Sequence, residues 1–139
     1  TWKSRGLGDV YKRQIKNCKS KLDAPFDGEE SITLYADLEA GISGSMSSAL
    51  LPEKIAPVID HFLNNEKEKA EEIYNHILPL INFENRQCGF RGTKTVMKEG
   101  GVIKSDFCRH PIKPLDEDTR KLLLNFAKKY NLVSFNWGK

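Results

Sequence analysis

The chain has 139 residues, of which 39% are hydrophobic and 29% are charged. This composition excludes a disordered, collagen-like or disulfide-dense protein, and the length predicts at most one globular domain. Three cysteines are too few for a disulfide framework and predict reduced thiols in a cytoplasmic protein. No apolar run approaches the ~18 residues that a membrane span needs, so no membrane association is expected.

The net charge of +3 comes entirely from the first fourteen residues. That segment carries four basic residues against the single Asp9, so the remaining 125 residues are neutral and predict no nucleic-acid partner. Within it, SRGLGDVYKRQ at residues 4–14 resembles the translation of a transposase sequencing adapter in all eleven positions. We therefore set residues 1–14 aside as an adapter-derived artefact. We expect the coding sequence to begin near Ile15 and the chain to be a truncated reading of a longer protein.

A strand followed by a helix is predicted at the start of the remaining chain. Residues 22–26 form a short strand candidate that contains Pro25. DGEE at residues 27–30 then supplies carboxylates that favour the first turn of a helix over 29–39. Gly41 predicts the end of this helix, and its apolar stripe is Ile32, Tyr35 and Leu38.

Small residues dominate the next segment, GISGSMSS at residues 41–48. They show no helical period and predict a short buried strand in which the backbone approaches another group closely. Two strands cannot form an independent sheet. With the 29–39 helix as a crossover, they predict a parallel pair within a larger sheet that is covered on both faces.

Two helices are predicted next. Pro52 suits the first position of one helix, and Asn65 with Glu68 three residues later resembles the capping box of the other. The helical pattern then breaks at residues 82–87. The apolar stripes are Ile55, Val58, Ile59, Phe62 and Leu63 in the first helix and Ala70, Ile73, Tyr74, Ile77, Leu78 and Ile81 in the second.

The last third of the chain predicts two more helices separated by a long loop. The first covers residues 91–99 and ends at a Gly-Gly pair, and the loop covers residues 102–115. Asp116 can cap the last helix, and Asn131 is its expected end. The stripe of this helix is Leu123, Phe126, Ala127 and Tyr130. The order of strand, helix, strand and further helices predicts an α/β fold that ends either a barrel or a doubly wound sheet.

Carboxylates cluster at Asp27, Glu29 and Glu30, just past the first strand. Two adjacent acids can act as an acid/base pair or orient substrate hydroxyls. The alternative is a helix N-terminus that carries acids without chemistry. The chain has no GxSxG elbow, which favours structural or substrate-lining roles for Ser45, Ser47 and Ser48.

Neither a metal site nor a cofactor site is indicated by spacing. Cys88, Cys108 and His110 show no paired ligand motif, so the two cysteines are interpreted as small packed residues. Lys94 and Lys98 lie one helical turn apart. Their face is either an anion site or an ordinary solvated face.

Three segments, taken in order, resemble the C-terminal part of the dihydrodipicolinate synthase / N-acetylneuraminate lyase family. DGEE at residues 27–30 resembles the Gly-acid-acid segment at the end of barrel strand seven, and GISGSMSS at 41–48 resembles strand eight. Residues 78–115 resemble the helical tail, including its Gly-Gly turn and proline-containing end. The resemblance extends from Ile15 to about Leu132, and the order of the segments is more specific than any one of them.

The resemblance implies the C-terminal part of a (β/α)8 TIM barrel, with its last two strands and helices, plus a C-terminal helical extension. It divides the chain into residues 15–64, the end of the barrel, and residues 65–139, the helical extension. Active sites of such barrels lie at the C-terminal ends of the strands. Residues 27–30 and 46–48 would lie there.

The resemblance also implies a class I lyase. In this family a Lys forms a Schiff base with pyruvate or a 2-keto-3-deoxy sugar acid, and the iminium accepts electrons during cleavage, condensation or dehydration. That Lys lies on strand six, and the assisting Tyr lies earlier still, so both would precede Ile15. The chain is therefore expected to hold no catalytic residue, to need no cofactor and to be inactive alone. The whole protein is expected to be a homodimer or homotetramer that acts on a small-molecule 2-keto acid.

Five positions match the substrate-binding residues of the family. Gly28 matches the strand-seven glycine beside the substrate, and Glu29 and Glu30 match the acid pair that contacts substrate hydroxyls in sugar-acid members. Met46 matches the strand-eight apolar residue beside the keto acid, and Ser47 matches its small neighbour.

Two departures bear on the substrate. A Glu-Glu pair stands where Asp-Asp is usual and has a longer reach, and Met46 stands where Ile is usual. NFENRQCG at residues 82–89 is closer to the sugar-acid branch, such as 2-keto-3-deoxyarabonate dehydratases. The alternative to an enzyme fragment is a non-enzymatic helical interaction module, which the regular helical stripes also allow.

Overall fold

The computed structural model describes residues 8–18, 21 and 23–139. A pair of very short strands lies among helices that differ widely in length. Their bounds are α1 Gly8–Cys18, β1 Phe26–Asp27, α2 Leu34–Ala40, β2 Gly44–Ser45, α3 Pro52–Leu63, α4 Lys67–Phe83, a π-helical segment Glu84–Cys88, α5 Phe90–Glu99, α6 Glu117–Lys129 and α7 Val133–Asn136. In the part of the chain that is described, no helix has the length and apolar character to cross a membrane.

The two strands pair in parallel, as the sequence predicts. Phe26 is opposite Gly44 and Asp27 is opposite Ser45, with α2 as the crossover between them. A Cβ atom at Gly44 would overlap the exposed Phe26 ring, which would have to move to admit a larger residue. The first strand lies at the end of the predicted 22–26 range rather than along it, and Leu22 lies outside the described residues.

Helix α2 begins at Leu34, so the prediction that it starts at residue 29 is wrong. Glu30 and Ser31 have φ angles of 55° and 65°, which are left-handed and incompatible with a helical first turn. The predicted role of the DGEE acids in that turn is therefore also wrong. The predicted end is confirmed, since Gly41 has a φ of 105° and its N–H donates to carbonyls of the last turn.

Helices α3 and α4 pack against α2 through their predicted apolar stripes. The Tyr35 ring of α2 meets the Phe62 ring of α3 edge-on, with centroids 5.6 Å apart. Pro52 occupies the first turn of α3, as predicted. The predicted capping box is wrong, because Asn65 has a φ of 65° and no side-chain hydrogen bond caps α4. Asn65 instead reverses the chain between the two helices.

The hydrophobic core is continuous from α2 to α7. It passes from the barrel end into the helical extension without a break at residue 64. The predicted break of the pattern at residues 82–87 is confirmed in position, because α4 ends at Phe83. The backbone does not become irregular there but widens into the π-helical segment. The fully buried side chains of the core are Leu34, Leu50, Leu51, Val58, Leu80, Val96, Leu123 and Leu132.

The C-terminal helices follow their predicted signals, with one addition. The Asp116 carboxylate caps α6 by accepting a hydrogen bond of 2.9 Å from the Thr119 N–H, and Asn131 follows the helix at a φ of 49°. Residues 102–115 form the predicted irregular loop. The short helix α7 is not predicted from the sequence. It packs back on the chain after β2, where the Ser134 hydroxyl donates to the Leu50 carbonyl at 2.7 Å.

Candidate functional site

The segments that follow β1 and β2 lie side by side, because parallel strands place their carboxyl ends at one edge. The Asp27 carboxylate, 7% exposed, links the two segments. It accepts hydrogen bonds from the N–H groups of Glu29 at 2.9 Å and Ser31 at 3.3 Å, and from the Ser45 hydroxyl at 3.2 Å. The hydroxyls of Ser31 and Ser45 are 2.7 Å apart. Asp27 thus fixes the shape of this edge rather than facing an open site.

The five predicted substrate-binding residues lie along this edge. Gly28, Glu29 and Glu30 follow β1 and are exposed, whereas Met46 and Ser47 follow β2. A Cβ atom at Gly28 would lie 3.7 Å from the Met46 methyl carbon, so the two segments are in near contact. The Met46 side chain is 64% exposed. The structure therefore brings Gly28 and Met46 together at this edge.

A cavity of about 430 Å³ lies between this edge and the turn from α4 to α5. Glu30 and Ser48 contribute from the strand ends, and Glu84, Thr93 and Lys94 contribute from the helical extension. The volume lies within the range of ordinary small-molecule sites. Of the five predicted residues, Glu30 lines this cavity. The helical extension therefore forms one wall of the candidate site.

Glu84 is a buried acid that the sequence analysis missed. It is 4% exposed, and its carboxylate accepts a hydrogen bond from the Thr93 hydroxyl. Burial raises the pKa of Glu84, nearby hydroxyls of Ser48 and Thr93 lower it, and the charge of Glu30 raises it. Glu84 continues the buried face of α4 through Ile77 and Ile81 at helical spacing. An acid on an apolar stripe is the signal that could have identified it.

The π-helical segment positions Glu84 beneath the cavity. Such segments interrupt α-helices and often occur at functional sites. The Glu84 carbonyl accepts a hydrogen bond of 2.6 Å from Gly89, whose φ of 61° turns the chain into α5. Gly92 allows α5 to pack closely on this segment, because a Cβ atom there would overlap the Cys88 side chain. The close packing sets Thr93 directly against Glu84.

A tyrosine of the helical extension supports the strand edge from behind. Tyr74 on α4 donates its hydroxyl hydrogen to the carbonyls of Ile32 and Ser31, the latter at 3.2 Å. Burial raises the pKa of Tyr74 to about 12, and the charges of Asp37 and Asp27 add to the shift. The phenol therefore stays protonated and remains a donor over the physiological pH range.

The cationic face of α5 contacts the long loop rather than a free anion. Lys94 donates to the Phe107 carbonyl, and Lys98 lies 3.1 Å from an Asp106 carboxylate oxygen. Among the described residues, no group of three or more His, Cys, Asp or Glu side chains could hold a metal ion. Cys88 is 2% exposed, and burial raises its thiol pKa to about 11, which fits its interpretation as a packed residue.

Sequence comparisons show which known proteins this chain is similar to. The sequence model of the Dihydrodipicolinate synthetase family matches residues 5–130, a span that overlaps the adapter-like segment. The chain is 42% identical to L-2-keto-3-deoxyarabonate dehydratase from Azospirillum brasilense over 133 residues, which is 96% of this chain and 43% of that protein. It is 26% identical to 4-hydroxy-tetrahydrodipicolinate synthase from Geotalea uraniireducens (strain Rf4), over 86% of this chain and 41% of that protein.

Solved structures show the same fold. Dihydrodipicolinate synthase from Acinetobacter baumannii matches 87% of this chain and 41% of its own, with a TM-score of 0.75 and 24% identity. The enzyme from Aquifex aeolicus matches 87% of this chain and 42% of its own, with a TM-score of 0.71 and 23% identity. The chain thus spans less than half the length of these relatives and forms the last part of a (β/α)8 barrel with its helical extension. It belongs to the dihydrodipicolinate synthetase family.

Proposed function

We propose that this chain is the C-terminal part of a Schiff-base lyase or dehydratase that acts on a 2-keto-3-deoxy sugar acid. The main observation in support of this proposal is the cavity at the carboxyl ends of the parallel strands. Its polar lining includes Glu30, Ser48 and Glu84. Carboxylates and hydroxyls are suited to binding a polyhydroxy chain. The 42% identity to a 2-keto-3-deoxyarabonate dehydratase supports this substrate class.

In this proposal the reacting amine lies upstream of Ile15. A Lys there attacks the keto carbon, and the carbonyl oxygen leaves as water. The resulting iminium accepts the electron pair released when the C3–C4 bond breaks, or when C3 loses a proton before the C4 hydroxyl leaves as water. The lysines on the helical face near the cavity are engaged elsewhere, since Lys94 donates to a loop carbonyl and Lys98 pairs with Asp106. This chain alone is therefore expected to be inactive.

The described residues would hold and orient the substrate. We assign Glu29 and Glu30 to substrate hydroxyls, Met46 to the apolar side of the keto acid, and the backbone at Gly28 and the small Ser47 to its border. Carboxylates that accept hydrogen bonds from hydroxyls fix the orientation of the substrate without supplying the nucleophile. We further propose a homodimer or homotetramer for the whole protein.

Trapping of the Schiff base tests this proposal. The longer protein, recovered by extending the coding sequence upstream, is incubated with pyruvate and borohydride and digested for mass spectrometry. We expect one reduced adduct, on a Lys of the upstream sequence that the 139-residue chain does not contain, and dehydration of L-2-keto-3-deoxyarabonate by the same protein. The control is the 139-residue chain treated identically, which should show no adduct. A specific adduct on any Lys of this chain, or none in the longer protein, would contradict the proposal.

A further inference from the structure

The cavity has a polar end that is built across the two regions of the chain. Ser48 belongs to the segment after β2, whereas Glu84 and Thr93 belong to the helical extension. Glu84 is itself 96% buried and reaches the cavity from the π-helical segment. It is not among the five positions matched to the substrate-binding residues of the family. A buried carboxylate at a cavity wall needs polar partners, because isolated burial of a charge is costly.

The partners of Glu84 leave its acceptor capacity partly unused. An ionised carboxylate offers about four lone-pair sites. The Thr93 hydroxyl occupies one on Oε1, and the Ser48 hydroxyl lies close enough to lower the pKa of Glu84. A ligand hydroxyl in the cavity would add a donor to this set.

We propose that Glu84 is a specificity-determining residue of the proposed site, accepting a hydrogen bond from a hydroxyl of a neutral polyol chain and rejecting ligands that carry an anionic group there. This inference rests on the proposed function and extends it to the far end of the substrate. Glu30 lies on the same cavity, so the two acids together make that end electronegative. A phosphate or carboxylate at that end would meet like charge, whereas a hydroxyl donates to it.

The nearby cation does not reverse this preference. Lys94 also lines the cavity, but its ammonium group donates to the Phe107 carbonyl and lies 5.9 Å from the centroid of the Phe90 ring. One of its donors therefore holds the 102–115 loop, and its single positive charge faces the two carboxylates of Glu30 and Glu84. The groups named for the polyol end belong to this chain, so titration of the chain itself tests their part in binding.

The test compares a neutral pentitol with its phosphate. Arabinitol and arabinitol 5-phosphate are titrated into the 139-residue chain, which is labelled with 15N and with 13C at the Glu carboxyl carbons. We expect a saturable shift of the Glu84 carboxyl signal with arabinitol and at least tenfold weaker binding of the phosphate. In Glu84→Gln, followed by the amide signal of Thr93, the tenfold preference should fall below threefold.

Two further variants separate the effect of the Glu84 charge from that of its length and from that of an acid outside the cavity. Glu84→Asp retains the charge but shortens the reach, so arabinitol should bind more weakly while the phosphate is still rejected. Glu72→Gln, an exposed acid on α4 outside the cavity, should leave both affinities unchanged. Absence of a saturable Glu84 shift in the wild-type chain, or an unchanged preference in Glu84→Gln, would overturn the inference.

The two proposals fail separately. An upstream Schiff-base adduct in the longer protein without any polyol preference in this chain overturns the role of Glu84 alone. A clear polyol preference without an adduct overturns the lyase proposal and leaves the polyol site standing.

Discussion

The strand edge and the helices behind it are held together by different forces. The edge, residues 26–31 and 44–48, has two strands of two residues each, and its apolar side chains Phe26 and Met46 are 57% and 64% exposed. Its geometry depends on Asp27 and a few hydroxyls. The helices instead bury Leu80 and Val96 completely. Apolar burial therefore stabilises the helical extension, whereas hydrogen bonds shape the edge that carries the candidate site.

The helices stabilise the fold and also contribute residues to the candidate site. Tyr74 holds the carbonyls of the strand edge, and Glu84 and Thr93 form the opposite wall of the cavity. A helical extension that merely covered the end of a barrel would need only apolar contacts. Here it supplies a buried acid at the cavity, so the extension and the barrel end together line the candidate site.

Removing a core side chain from α4 should have the largest effect on stability. Leu80→Ala leaves a cavity in the shared core and is expected to cost about 3 kcal/mol, which lowers the melting temperature by roughly 10 °C. Thermal denaturation followed by circular dichroism measures the change. Leu63→Ala, at a side chain that is 57% exposed, is the control and should change stability by less than about 0.5 kcal/mol. Equal losses in both variants would show that burial of the side chain does not determine its contribution to stability.

A substitution at the strand edge should have a smaller effect on stability, and the effect should stay local. In Asp27→Asn the amide retains one acceptor oxygen but loses the charge that holds the N–H groups of Glu29 and Ser31, at a cost of about 1.5 kcal/mol. Amide hydrogen exchange should accelerate at these two residues and remain slow in α4, because the edge opens without global unfolding. Asp23→Asn, an exposed neighbour, is the matched control. Uniform acceleration over the whole chain would contradict a separate edge.

The same contrast explains which features could be predicted from the sequence. The stripes of α3, α4 and α6 follow from helical periodicity, and Asp116 and Gly41 mark helix ends through local chemistry. These signals are short in range and act within one element. The start of α2 could not be predicted, because the left-handed backbone of Glu30 and Ser31 is set by hydrogen bonds to Asp27.

Prediction of the candidate site was limited for a similar reason. The positions along the strand edge followed from a family resemblance, whereas the wall formed by Glu84 and Thr93 depends on the packing of α5 against a π-helical segment. Neither the hydrophobic pattern nor a sequence motif predicts the contact between Glu84 and Thr93. The one signal in the sequence is an acid in line with the apolar stripe of α4. The return of α7 onto Leu50 is likewise a tertiary contact between distant residues.

The smallest predicted effect concerns the loop over residues 102–115, which charged groups hold against the helices. Asp106 accepts a hydrogen bond from Arg120 at 2.9 Å and one from Lys98 at 3.1 Å, and these bonds lower the pKa of Asp106 to about 2. A lowered pKa in the folded state means that the stabilisation is present above the ordinary pKa of 3.8 and is lost as the pH falls toward 2.

Asp106→Asn should therefore lower stability at pH 7 by less than about 1 kcal/mol, because partly exposed ion pairs are screened by solvent. The difference from the wild type should shrink as the pH falls from 4 to 2, measured by denaturant unfolding at each pH. Asp60→Asn, an exposed acid on α3, provides the comparison and should show no such dependence. A loss that persists undiminished at pH 2 would mean that packing, rather than charge, holds the loop, and the loop would then resemble the helices more than the strand edge.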